Sequence, residues 1–228
     1  MKKIVVLTGA GISAESGIKT FRDSNGLWEN HRVEDVASPE GWAANRALVL
    51  DFYNQRRRQL LQCQPNRAHI ALAELEQKYD VTIVTQNVDD LHERGGSTKI
   101  IHLHGELLKM RSSLDENLVY PCTGDINIGD KCERGSQLRP FIVWFGEDVP
   151  KIGDAVEVVR RADILIVIGT SLVVYPAAGL LNYARYDIPK WLVDPSAMQL
   201  PRIPNLTFIN QKATTGVDTL VKQLLANA

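Results

Sequence analysis

Ile4-Val5-Val6-Leu7-Thr8-Gly9-Ala10-Gly11-Ile12-Ser13-Ala14 is the stretch on which the fold turns. Ile4–Leu7 is a short, unbroken apolar run rich in β-branched residues, the pattern of a strand buried on both faces. The residues behind it satisfy G-x-G-x-x-G/A. In that pattern the first glycine permits a tight strand-to-helix turn and the second lets a pyrophosphate approach the backbone. The helix that follows offers free N–H groups and a positive dipole end. A tight turn asks for glycines with or without a ligand, so the motif needs support from the rest of the chain.

Outward from this turn, similar apolar runs recur at Val81–Val84, Ile100–Leu103, Ile164–Ile168, Trp191–Val193 and Leu206–Ile209. Helical patterns lie between them. One follows Pro65, with Asn66 as N-cap, and runs through Ile70, Leu72 and Leu75. Others are expected over Ile152–Arg161, from near Pro176, and over Val217–Leu225. Alternating strand and helix predicts an α/β fold: a Rossmann-like, mostly parallel sheet with helices on both faces. Two stretches break the rhythm. Gly17–Gln62 reads as an irregular loop and then one long helix around Trp42–Leu61, without a strand, while Glu106–Pro140 is polar and weakly periodic. Insertions of this kind are functional or form a separate lobe. The expected division is a sheet domain over 1–28, 70–104 and 147–228, and a smaller inserted lobe over 29–69 and 105–146, with a cleft between them.

The 228 residues suffice for one such domain and its lobe. The 26 Lys and Arg nearly balance the 27 Asp and Glu, which argues against a nucleic-acid surface. The apolar run after Met1-Lys2-Lys3 is too short for a signal peptide, and no segment approaches the roughly 20 apolar residues of a membrane span. Three cysteines, Cys63, Cys122 and Cys132, form no paired framework and fit a reducing cytoplasm.

A dehydrogenase would next supply a helix, a second strand and an acidic residue about 20 positions on. This chain runs instead through Glu15-Ser16-Gly17-Ile18-Lys19-Thr20-Phe21-Arg22-Asp23 to Gly26-Leu27-Trp28. The block Gly9–Trp28 resembles the NAD-binding signature of the sirtuin (Sir2) family. Thr85-Gln86-Asn87-Val88-Asp89-Asp90-Leu91-His92 is similar to that family's T-Q-N-x-D-x-L-H, and His102-Leu103-His104-Gly105 to its x-L-H-G. Arg139-Pro140 with Val143 and Phe145-Gly146-Glu147 resembles R-P-x-V-x-F-G-E, and Gly169-Thr170-Ser171-Leu172-Val173-Val174-Tyr175-Pro176 resembles G-T-S-L-x-V-x-P.

Asn87, Asp89 and His104 each follow a strand, where ligands of open α/β sheets bind. His31, His69, His92 and His102 read as surface or satisfied core side chains. For His104 the strand-end position and the motif together point to a catalytic base, suited by an unperturbed pKa near 6.5.

The resemblance implies NAD-dependent removal of acyl groups from protein lysines. The acyl oxygen attacks C1′ of the nicotinamide ribose as nicotinamide leaves, His104 takes a proton from a ribose hydroxyl, and the products are free lysine, nicotinamide and O-acyl-ADP-ribose. It further implies that Asn87, Asp89 and Val88 line the nicotinamide pocket, that Gln86 and Arg22 hold ribose and phosphate, and that Phe21 covers the ribose. Ala10, Ile12, Ser13, Ala14, Glu15, Thr20 and Trp28 complete the near half of the NAD site. Gly169, Thr170 and Ser171, with Asp194 and more loosely Ala213, form the adenosine half. Val143, Phe145 and Gly146 would meet the peptide. On the long helix, Tyr53 and Arg56 share one face at i and i+3 and resemble the pair with which some sirtuins bind succinyl- or malonyl-lysine. Arg57 and Arg58 read as a solvated basic face.

Many sirtuins carry zinc on two C-x-x-C pairs. Here Arg111-Ser112-Ser113 stands at the first pair, and Cys132-Glu133-Arg134-Gly135 lacks half of the second. The lobe is therefore expected to hold no metal and to pack through Leu114, Leu118 and Tyr120. An NAD glycohydrolase, an ADP-ribosyltransferase and a non-catalytic NAD sensor stay open as alternatives, as does the oligomeric state.

Overall fold

The computed structural model describes residues 1–19, 27–28, 30–170, 177–196 and 203–227. In chain order its strands are β1 (Lys3–Thr8), β2 (Leu27–Trp28), β3 (His31–Arg32), β4 (Asp80–Thr85), β5 (Ile100–His102), β6 (Gly105–Ser112), β7 (Val119–Pro121), β8 (Leu138–Ile142), β9 (Ile164–Ile168), β10 (Lys190–Val193) and β11 (Leu206–Ile209). Its α-helices are α1 (Val33–Val36), α2 (Pro39–Ala44), α3 (Arg46–Gln62), α4 (Arg67–Glu74), α5 (Leu91–Arg94), α6 (Ile152–Arg160) and α7 (Ala213–Ala226).

The six apolar runs read from the sequence are the six strands of one parallel sheet, in the order β11-β10-β9-β1-β4-β5. Taken from β5, this is the 3-2-1-4-5-6 order of the doubly wound dinucleotide-binding fold, and it reverses between β1 and β9. Burial explains why the runs lack alternation. Ile4 and Val6 point to the face covered by α4 and α7, with Ile166, Leu72 and Leu220. Val5 and Leu7 point to the other face, with Leu165, Val159 and Leu180. Each such side chain contributes roughly 1.5–3 kcal/mol when fully buried, so neither face admits a polar residue cheaply.

A second hydrophobic cluster packs α1, α2 and α3 against a three-stranded antiparallel sheet, β7-β6-β8, and joins Trp42, Phe52, Tyr53, Leu107 and Trp144. Several expectations change here. Glu106–Pro140 contains this sheet; its alternation is lost because most of β6 is only half-buried. The single long helix is two, since Asn45 leaves helical geometry at φ −151° and its Oδ1 caps α3 by accepting from Leu48 N at 3.0 Å. Gly17–Gln62 holds the short β2–β3 pairing. The Gly-rich turn leads not into an α-helix but into two three-residue 3₁₀ turns, Ala10–Ile12 and Ala14–Ser16. Behind Pro176, which lies outside the described residues, Ala177–Tyr183 is likewise 3₁₀. α7 begins at Ala213, four residues earlier than expected. Leu114 is 87 % exposed and packs nothing, whereas Leu118 and Tyr120 do join the second cluster.

Candidate active site

β1 and β4 end side by side, and the turns beyond them meet those after β5 and β9 around a cavity of about 690 Å³. The volume lies in the roughly 300–1,000 Å³ range of small-molecule sites. Its floor is a seam between two turns. Gly9 is extended, at φ −124° and ψ −174°, so it is not there for a left-handed conformation. A Cβ on Gly11 would lie 2.6 Å from Gly169 Cα, and one on Gly169 would lie 2.5 Å from Gly11 C. Gly169 also has φ +60°. These glycines therefore let one backbone turn seat on the other, and Gly11 N donates to Gly169 O at 2.8 Å. The expected approach of a ligand to Gly11 and Gly169 is taken in part by their approach to each other.

Ala10, Ala14, Glu15 and Trp28 line the cavity, whereas the Ile12 side chain is in the sheet core and Ser13 is fully buried beneath the floor. Ser13 organises the polar layer there. Its Oγ donates to Asp89 Oδ2 at 3.0 Å and receives Asn87 Nδ2 at 3.3 Å. Asn66, the N-cap of α4, donates its backbone N–H to His69 Nδ1 at 3.3 Å, which leaves His69 Nε2 as the protonated nitrogen facing Ser13 Oγ at 3.4 Å. Burial pushes His69 down to about 4, so the ring is neutral. Asp89, 6 % exposed, is raised to about 6 by burial, against the hydrogen bonds from Leu91 N and Ser13 Oγ that favour its charge. Asn87 Nδ2 also reaches Gly9 O at 3.2 Å, and Gln86 Nε2 donates to Thr170 Oγ1 at 3.1 Å across the seam.

His104 lies just past β5 in the cavity wall. Its Nδ1 is 3.1 Å from the Gln86 carbonyl, which only accepts; Nδ1 therefore carries the proton and Nε2 is left as a base. Burial lowers its pKa, against the raising effect of that carbonyl.

The opposite wall comes from α3 and the 143–147 turn. Tyr53 and Arg56 line it together with Val143, Phe145 and Gly146. Tyr53 OH receives Trp144 Nε1 at 3.1 Å; burial raises the phenol's pKa, so it stays a neutral donor. Arg56 stacks its guanidinium 4.9 Å above the Phe52 ring. Arg139 fixes the turn through two bonds to Glu147, at 2.7 and 3.1 Å, with its guanidinium 3.2 Å above Trp144. Trp144 was not singled out in the sequence, although it sits inside the R-P-x-V-x-F-G-E block. Arg57 is a correction: it is 1 % exposed, not solvated, and donates to Leu107 O, Asn54 Oδ1 and Gly124 O.

On the far side, Gly169, Thr170, Asp194 and Ala213 line the cavity, joined by Ser196 and Lys212. Asp194 is 1 % exposed at the end of β10 and accepts from Ser196 N at 2.9 Å. Glu15, at the cavity edge, also caps α7: its carboxylate accepts from Thr214 N at 3.0 Å and Thr214 Oγ1 at 2.8 Å. Thr20, Phe21, Arg22 and Ser171 lie outside the described residues. Carboxamide partners at Asn87 and Asp89, a hydroxyl acceptor at Asp194 and a cation at Lys212, all around a switch point, fit a dinucleotide.

Comparison with known proteins agrees. The Sir2 family profile matches residues 9–176. An NAD-dependent protein deacylase of Helicobacter pylori (strain ATCC 700392 / 26695) is 56 % identical over 228 residues, covering all of both chains. One from Bacteroides thetaiotaomicron is 54 % identical over 234 residues, also covering all of both. Among solved structures, a Sir2 homolog–NAD complex superposes with a TM-score of 0.90 at 41 % identity, over 99 % of this chain and 90 % of that one. A mutant Sir2 homologue with ADP-ribose gives 0.91 at 40 %, over 99 % and 93 %. The chain belongs to the Sir2 family.

Proposed function

We propose that the cleft removes succinyl as well as acetyl groups from protein lysines, with His104 as the base and Asn87 and Asp89 holding the nicotinamide end of NAD. The protein is an NAD-dependent protein deacylase, as its relatives are named. NAD supplies the electrophilic ribose carbon and the hydroxyl that accepts the acyl group. The chain's own part is to bind, orient and move a proton. One observation carries the reading: His104 has its Nδ1 proton committed to the Gln86 carbonyl, so Nε2 is free to take a proton in the cavity that Asn87 and Asp89 also line. Asn87 Nδ2 and the Asp89 carboxyl, held by Ser13, offer a donor and an acceptor to a carboxamide. Tyr53 and Arg56 face the acyl group, where a planar guanidinium suits a carboxylate.

The proposed sheet domain spans 1–28, 70–104 and 147–228 and binds NAD. The smaller lobe, 29–69 and 105–146, presents the acyl-lysine protein. The separate clusters around Ile166 and around Phe52 support this division, although Ala68 at the start of α4 packs with the sheet. Free cysteines support a cytoplasmic location, and no described helix is long and apolar enough to cross a membrane.

The test is mass spectrometry of products from NAD with acetyl-, succinyl- and long-chain acyl-lysine peptides. Free lysine, nicotinamide and O-acyl-ADP-ribose should form in equal amounts, on both acetyl and succinyl peptides. Fast nicotinamide release without any peptide would instead indicate a glycohydrolase.

A further inference from the structure

His102 closes β5, two residues before the proposed base, and has no part in the chemistry above. Its ring stands between two acceptors. Nε2 is 2.7 Å from Glu93 Oε1 on α5, and Nδ1 is 3.3 Å from the Asn87 carbonyl oxygen. A neutral imidazole has one N–H and satisfies only one of them; the doubly protonated ring satisfies both. The loop thus has two consecutive carbonyls held by two imidazoles: Gln86 O by His104 and Asn87 O by His102.

The surroundings favour the charged ring. Burial opposes it, but the hydrogen bond and charge of Glu93, then Glu106 on β6 and the Asn87 carbonyl, raise His102 above the ordinary histidine value. Burial likewise acts to raise Glu93, and the bond and charge of His102, with the backbone N–H of Glu93 and Lys109, together more than offset that. The remaining neighbours are Lys109, paired with Glu106 at 2.8 Å, Asp89 beyond β4, and His92, which burial keeps neutral.

We infer that His102 is a positioning residue, whose two N–H groups tie the Asn87 carbonyl to Glu93 and keep the Gln86–Asp89 loop aimed only while the ring holds both protons. The inference rests on the reading of Asn87 as part of the NAD site. Its sign follows from the raised pKa. The tether is complete at low pH and is lost as pH rises through the His102 value, on the alkaline side of an ordinary histidine.

The experiment pairs an NMR titration of the His102 ring with pH profiles of kcat/KM for NAD at saturating acetyl-lysine peptide. The wild type should show an alkaline fall that coincides with the His102 titration. His102→Gln should lose that limb and be about 10-fold lower at neutral pH, with KM for the peptide unchanged. Glu93→Gln should move the limb to lower pH without removing it. A His102→Gln profile with the wild-type shape, or a wild-type His102 that titrates at or below the ordinary value, overturns the inference. If His102→Gln does not fold, Glu93→Gln and the wild-type titration still decide. Absence of any peptide-dependent turnover in the wild type would defeat the deacylase reading, while the ring titration would still judge the tether.

Discussion

The proposed base, His104, is held by the Gln86 carbonyl and kept neutral by burial, and its side chain belongs to no hydrophobic cluster. His104→Ala should therefore lower deacylation at least 10²-fold while NAD binding and melting temperature change little; near-wild-type turnover would remove it from the mechanism. Asp89 sets a different limit. Its carboxyl, raised to about 6 by burial, takes up a proton as pH falls through that value and ceases to be a charged acceptor. kcat/KM for NAD should fall below about pH 6, and Asp89→Asn should flatten that limb at a lower plateau. The stability sign is opposite. A raised carboxyl stabilises fully below its unfolded value near 3.9 and less as pH rises through about 6. Thermal melts at neutral pH should thus find Asp89→Asn at least as stable as wild type, with the gain gone near pH 4. Arg56→Met tests acyl choice. A hydrogen bond to a charged group contributes roughly 1.5–3 kcal/mol, so efficiency on succinyl-lysine should fall about 10- to 150-fold, with acetyl-lysine within a few-fold. Equal losses on both peptides would make Arg56 structural.

Helix α3 shows what spacing reveals and what residue type conceals. Leu50, Tyr53, Arg57 and Leu60 recur at helical intervals and are all buried. The stripe was present in the sequence, but a guanidinium inside it reads as solvent-facing. The carbonyls of Leu107 and Gly124, brought from the antiparallel sheet and the loop beyond it, join Asn54 Oδ1 in accepting from the guanidinium and make its burial tolerable. Asn54 works beside it, pairing with both Ile126 N and Ile126 O at 2.9 Å. Arg57→Met keeps the stem and leaves those acceptors without donors. Urea unfolding should register a loss of about 3 kcal/mol; no change would mean that water replaces the guanidinium. The six parallel strands were legible because burial on both faces writes them as plain apolar runs. The antiparallel sheet was not, because Pro121 and Pro140 sit within its strands and half-burial blurs its period.

Across the whole molecule, the clusters on the two faces of the parallel sheet and the cluster of the smaller lobe lie around one cleft. No group of three or more His, Cys, Asp or Glu among the described residues is arranged to hold an ion. At the incomplete second cysteine pair, Cys132 Sγ lies 3.1 Å from Ser136 Oγ, which is 2.7 Å from Ser112 Oγ. Purified protein should contain well under one zinc per chain, and a chelator should leave its melting temperature unchanged. Stoichiometric zinc retained through dialysis would contradict this. The glycine seam also has a consequence in time. Gly9 and Gly11 leave the ribosome first, but their mate Gly169 is roughly 160 residues away. At about 5–20 residues per second, roughly 8–30 s separate the two halves of the cradle during synthesis. A nascent chain therefore has the opening strand without the seat its turn requires until the Gly169 turn has been made.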